Sequence, residues 1–183
     1  MTTVGSAAAN NTGHLKPGLA LPRISLPATT DREICIAAAP RTSVVIIYPW
    51  TGRPGVPNPP NWDDIPGAHG STPELEGFRD LAELFAARGI GIFGLSGQTT
   101  DYQREMAARL RLPFPILSDA EGLFAEALAL PRFPAGDQSY LKRRTLLIEG
   151  GRIEHVFYPI VDPARHAAEV LNFVIAQLDR TIQ

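Results

Sequence analysis

Residues 44–48 read Val-Val-Ile-Ile-Tyr, a β-branched run bounded by Ser43 and Pro49 with no polar position inside it. Such a run predicts a strand buried on both faces. Residues 90–96 predict a second buried strand. Between the two, Leu75, Phe78, Ala82 and Phe85 recur at steps of three and four, with Glu74, Arg79 and Glu83 elsewhere. This spacing predicts an amphipathic helix over 73–88, stopped by Gly89. A helix over 100–110 follows, with Asp101 near its positive end, then a short strand at 114–117 and a short helix at 123–128. Residues 144–148 and 153–158 flank Glu149-Gly150-Gly151-Arg152 and predict a hairpin. A closing helix runs from 163 to about 178, its core face spaced as Ala167, Val170, Val174 and Leu178.

Strands that alternate with helices predict an α/β domain with a sheet covered on both sides, and the terminal hairpin makes that sheet mixed. No internal repeat or second-domain boundary is evident. Residues 1–13 are small and polar and are expected to be disordered, leaving 14–183 as one domain. Pro17, Pro22 and Pro27 punctuate short extended pieces at 20–22 and 24–26, which are expected to pair as edge strands. Residues 51–70 are dense in proline and glycine and predict a long surface loop that builds no core.

Composition narrows the function classes. A chain of 183 residues, 44% hydrophobic and 20% charged, suits one globular domain with a full core. A net charge of −2, with Lys and Arg scattered, leaves no footprint for nucleic acid or an acidic membrane. The apolar runs are far short of a membrane span, and the first residues lack the order of a signal peptide, so a cytoplasmic protein is expected. The single cysteine, Cys35, excludes an intramolecular disulfide and reads as a half-buried strand residue rather than a reactive thiol. His14, His69, His155 and His166 share no metal-ligand spacing, and neither a metal nor a cofactor is expected. Gly89-Ile90-Gly91-Ile92-Phe93-Gly94 fits a dinucleotide loop by letter, but it follows a helix and runs into a strand, the wrong order for that loop. A hydrolase pair of Ser71 and His69 is disfavoured, because residues two apart across a turn rarely align as nucleophile and base.

The remaining chemistry centres on Ser71. Ser71-Thr72-Pro73-Glu74 fits a capping box with Ser71 at the N-cap, and Thr72 before Pro73 is an equally good cap. The surrounding residues say more. Tyr48-Pro49-Trp50-Thr51 leads in, and Phe78-Arg79-Asp80 follows. Further on lie Phe114-Pro115-Ile116-Leu117-Ser118-Asp119 and Arg143-Arg144-Thr145-Leu146-Leu147-Ile148. Together these resemble the peroxiredoxins, and within them the peroxiredoxin Q and bacterioferritin-comigratory-protein branch. The resemblance spans residues 48–148, and the strand–helix order carries it on to the closing helix.

The resemblance implies a thioredoxin-like fold with a central mixed sheet and helices on both faces. It implies reduction of hydrogen peroxide or organic hydroperoxides by a cysteine thiol that an external thioredoxin-like or glutathione-like thiol restores, with a homodimer as a candidate assembly. Ser71 stands where the family has its nucleophilic cysteine. A serine hydroxyl stays protonated there and cannot follow the sulfenic-acid route, so the chain as written is expected to be inactive. Arg143 takes the position of the arginine that lowers the cysteine's pKa and binds the peroxide oxygens, with Arg144 its outward neighbour. Tyr48, Pro49, Thr51, Thr72 and Glu74 are expected around the pocket. Three departures stand out: Ala68 where the family has a threonine, Glu76 where many relatives have a resolving cysteine, and Ser71 itself. An engineered Cys-to-Ser exchange accounts for Ser71 with the motif around it intact. The alternative is a natural, non-enzymatic redoxin-like domain that binds a partner or small ligand in the former pocket.

Overall fold

The central run is buried at every position because its strand is the middle one of five. The computed structural model describes residues 13–181. In chain order, β1 (Ser25–Pro27) and β2 (Glu33–Cys35) precede β3 (Ser43–Ile47), and α1 (Ser71–Asp80) and α2 (Ala82–Ala86) lead to β4 (Gly91–Ser96). Then come α3 (Thr100–Leu110), β5 (Ile116–Ser118), α4 (Leu123–Ala127), β6 (Arg132–Ala135) and β7 (Gln138–Leu141). The hairpin β8 (Arg144–Glu149) and β9 (Arg152–Phe157) and the closing helix α5 (Pro163–Thr181) complete the order.

The main sheet runs β5-β4-β3-β8-β9, with β3, β4 and β5 parallel and β8 and β9 antiparallel to their neighbours. Alternation along β3 divides the core. Val45 and Ile47 face a cluster with Leu146, Ile148, Phe124 and the N-terminal Leu15, Leu21 and Leu26. Val44 and Ile46 face the other way, onto Leu75 and Phe78 of α1, Met106 of α3 and Val170 of α5. Helices therefore cover both faces, and the fold is the thioredoxin-like α/β arrangement.

Several expectations need correction. The helix expected over 73–88 begins at Ser71 and breaks at Leu81, where φ is −104° and ψ 3°. The break lets Phe78 and Phe85 enter one core with ring centroids 5.7 Å apart. The pieces at 20–22 and 24–26 find separate partners rather than each other: β1 binds β2 in the register Leu26↔Ile34, and Ala20 bridges Arg152 at the sheet edge. The strand expected at 114–117 is Ile116–Ser118, set by pairing with Gly94, Leu95 and Ser96 of β4. Leu178 is 42% exposed, because the apolar face of α5 ends its burial at Val174. Residues 1–12 lie outside the described part, so the disorder expected over 1–13 is not addressed beyond Gly13.

The proline-rich stretch holds the largest surprise. It contains a short 3-10 turn, Trp62–Asp64, and buries Trp62 and Ala68 against Phe133 and Ala135. Phe133 and Ala135 belong to the β6–β7 hairpin, which the pattern did not predict. Gly136, at φ +58°, turns that hairpin, and a Cβ there would stand 2.9 Å from Pro60. The loop and the hairpin therefore clamp each other beside the start of α1.

Candidate active site

The site is built where α1 starts. Gly70 precedes the helix with φ +103°, a conformation that L side chains rarely adopt, and a Cβ on it would meet Pro163 Cγ at 2.7 Å. Glycine thus turns the chain and lets the first residue of α5 pack against the start of α1. Ser71 is the first residue of the helix rather than its cap, and its side chain makes no capping bond. This displaces the capping-box reading: Gly70 takes the N-cap position, and the Glu74 carboxylate turns inward instead of back to the helix start.

Arg143 arrives from the residue before β8 and faces α1. Its Nη2 donates to Ser71 Oγ at 3.0 Å and to the His69 carbonyl at 2.9 Å, and its Nη1 donates to the Glu74 carboxylate. Ser71, Glu74 and Arg143 are all buried. Removal from water pushes the Glu74 carboxyl up to about 7, with Arg143 pulling against that rise. The arrangement presents a hydroxyl to a guanidinium and to the unpaired N–H groups of a helix start, surroundings that favour an anion at that point.

A pocket of about 190 Å³ opens over Ser71, walled by Trp50, Asn58, Trp62, His69 and Thr72. Of the five positions expected around it, Thr72 lines it and Glu74 lies buried against Arg143. Tyr48 does not line it: the ring is wholly buried in the core with Leu75 and Phe78, and burial pushes its hydroxyl pKa upward. Pro49 is buried as well and lies outside the pocket wall. Thr51 is committed elsewhere, its hydroxyl donating to Gln98 Oε1 at 3.0 Å, so it does not supply the hydroxyl that Ala68 lacks. Trp50 and Trp62 take the wall positions instead, their ring centroids 5.5 Å apart. A lone tryptophan inside a proline-rich stretch was the sequence signal for this wall.

A family model described as Redoxin matches residues 16–171. The chain belongs to that family. Among curated relatives, the chloroplastic peroxiredoxin Q of Oryza sativa subsp. japonica is 26% identical over 167 residues, covering 83% of this chain and 75% of the relative. The chloroplastic peroxiredoxin Q of Arabidopsis thaliana is 28% identical over 118 residues, covering 62% of this chain and 51% of the relative. Among solved structures, the peroxidoxin BcpB of Mycobacterium tuberculosis superposes with a TM-score of 0.72 at 24% identity, covering 89% of this chain and 98% of that one. A Cys-to-Ser mutant of Xylella fastidiosa PrxQ gives 0.74 at 21% identity, covering 90% and 98%. The likeness to these two structures is one of fold.

Two more side chains of this redoxin differ from expectation or were passed over. Arg144 does point away from Ser71, but not outward: it is fully buried on the opposite face of β8, Nε donating to the Lys142 carbonyl at 3.2 Å, with the Tyr158 ring over its guanidinium. The register with Ile47 of β3 sends it into the sheet's interior rather than to solvent, and burial lowers its pKa to about 10. His166 is buried on α5, Nε2 at 2.9 Å from Thr145 Oγ1, with the rings of Phe78 and Phe157 edge-on to it. It ties α5 to the strand that delivers Arg143. His69 turns its Nε2 to Asp63 Oδ1 at 2.8 Å. Cys35 packs with the cluster on the opposite side of the sheet from Ser71, which does not suit it as a resolving thiol.

Proposed function

We propose that the chain has the frame of a thiol-dependent peroxidase that reduces hydrogen peroxide or organic hydroperoxides, with Ser71 at the nucleophile's position and the chain inert as written. The observation that carries this reading is Arg143 Nη2 at 3.0 Å from Ser71 Oγ at the start of α1. With sulfur at that atom, the helix start and the guanidinium both favour a thiolate. The thiolate attacks one peroxide oxygen, the O–O bond breaks, and the departing oxygen takes a proton to leave as water or alcohol, giving a sulfenic acid. An external thioredoxin-like or glutathione-like thiol then condenses with the sulfenic acid, releasing water, and a second thiol releases the protein. Arg143 supplies donors to the oxygen on which charge develops. Oxygen at position 71 ends the sequence at its first step, because the hydroxyl meets the Arg143 guanidinium, a donor that cannot take its proton. A reducing, cytoplasmic setting suits a chain with one cysteine.

An engineered Cys-to-Ser exchange accounts for Ser71 in this reading. The second reading, a natural redoxin domain that binds without turnover, draws on Ala68 and on the commitment of Thr51 to Gln98. The codon for residue 71 in the source gene separates the two. Peroxide turnover by the Ser71→Cys variant tests the peroxidase frame itself.

A further inference from the structure

A guanidinium carries five donors, and Arg144 uses Nε alone in a hydrogen bond to protein. Both its Nη nitrogens are buried and, among the described residues, meet no acceptor. Among the described residues it forms no ion pair with a carboxylate. Its charge faces the Tyr158 ring, with Cζ 5.0 Å from the ring centroid. An aromatic face is a weak substitute for an anion, and a cation buried without one is costly.

Tyr158 is the door to this cation. It follows the last residue of β9, is 44% exposed, and lines a groove of about 740 Å³. The groove passes the end of the β8–β9 pair, with Ile65, Phe133, Ile160 and Val161 as apolar walls. Val161 is 90% exposed, so the apolar lining continues to the surface. Lys142 and Arg143 also line it, and no Asp or Glu does, although the whole chain carries a net charge of −2. Arg143 is already paired with Glu74, so the Arg144 guanidinium beneath Tyr158 is the cation that an apolar molecule with one anionic end would meet in this trough.

We propose that this groove binds an apolar small molecule by its carboxylate, which turns the Tyr158 ring aside and pairs with both Nη nitrogens of Arg144. A planar guanidinium fork matches a carboxylate in a bidentate pair. Tyr158 belongs to the segment between β9 and α5 that pairs with no strand, so its ring moves without breaking the sheet. The groove's anchoring cation, Arg144, lies across β8 from Ser71, while Arg143 and His69 in the groove wall also border the Ser71 site.

Trp62 reports on the groove, since its ring packs on Phe133 at 5.6 Å between centroids. The test titrates the full chain with dodecanoate and with dodecanol and follows tryptophan fluorescence. Dodecanoate is expected to bind at least tenfold more tightly than dodecanol. Arg144→Met should erase that preference by weakening dodecanoate about tenfold while leaving dodecanol unchanged. Should Arg144→Met not fold, Tyr158→Leu keeps the test open: removing the ring should tighten dodecanoate several-fold and not dodecanol. Equal affinity of the native chain for the two ligands would overturn the proposal. So would a preference for dodecanoate that survives Arg144→Met, or one untouched by Tyr158→Leu. Self-association in sedimentation that buries the groove and excludes dodecanoate would overturn it too, and assign the face to a second copy of the chain.

Discussion

Arg143 Nη2 stands 3.0 Å from Ser71 Oγ, although 72 residues separate the two in sequence. The contact joins the first residue of a helix to the residue just before a strand of the central sheet. It depends on how closely α1, α5 and β8 pack, and its consequences can be measured.

Gly70 is the tightest of these packing points. Gly70→Ala places a methyl 2.7 Å from Pro163 on a backbone at φ +103°. The expected cost is about 2–4 kcal/mol, from left-handed strain together with overpacking. Gly67→Ala has φ +80° and open space around the new Cβ, so it should cost only about 1–2 kcal/mol. Denaturant unfolding of the two variants reads the difference, and equal losses would mean that the contact between α1 and α5 does not position the site.

Glu74 makes stability depend on pH. Its carboxyl titrates near 4.5 when unfolded and is pushed up to about 7 in the folded chain. Between those values the folded state holds the proton that the unfolded state has released, so this group's contribution is complete below the lower value and is lost as pH rises to the upper one. The loss is at most about 3 kcal/mol. Glu74→Gln should flatten that slope in urea midpoints measured across the window. A native chain whose stability rises through the same window, relative to Glu74→Gln, would show that Arg143 outweighs desolvation.

The chain as written should consume peroxide with a dithiol reductant no faster than the reductant alone. Its one thiol, Cys35, ends β2 and packs against the apolar core on the other side of the sheet from Ser71. Cys35→Ser should leave the background unchanged. Turnover that vanishes with Cys35→Ser would move the chemistry to the other side of the sheet.

The sequence was most legible where a segment's own residues decide its structure. The runs in β3 and β4 and the Gly150-Gly151 turn between β8 and β9 carry their answer locally. Ser71 and Arg143 were legible through the motifs around them, though Gly70 rather than Ser71 holds the N-cap. What stayed hidden depends on distant partners. Trp62 looked like part of a coreless loop because Phe133 and Ala135, which bury it, lie about 70 residues on. The β6–β7 hairpin was masked by Pro134 within one strand and by the weak period of Gln138-Ser139-Tyr140. Arg144 read as the outward neighbour of Arg143, because nothing local shows that pairing with β3 takes it into the interior. Thr51 was expected at the pocket because Gln98, its partner, follows another strand.

The most direct test of the active-site assignment is the titration of the thiol that Ser71→Cys introduces, followed by the ultraviolet absorbance of the thiolate. Cys35→Ser in the same background leaves that thiol alone in the chain. The expected pKa lies at least one unit below the free value of about 8.5, a preference for the anion of at least about 1.4 kcal/mol. Adding Arg143→Met should raise it again and slow reaction with peroxide more than reaction with a neutral alkylating reagent, since the donors to the peroxide oxygens are lost. A thiol at position 71 that titrates near the free value, ignores peroxide and does not respond to Arg143→Met would contradict the assignment and leave the pocket to a ligand.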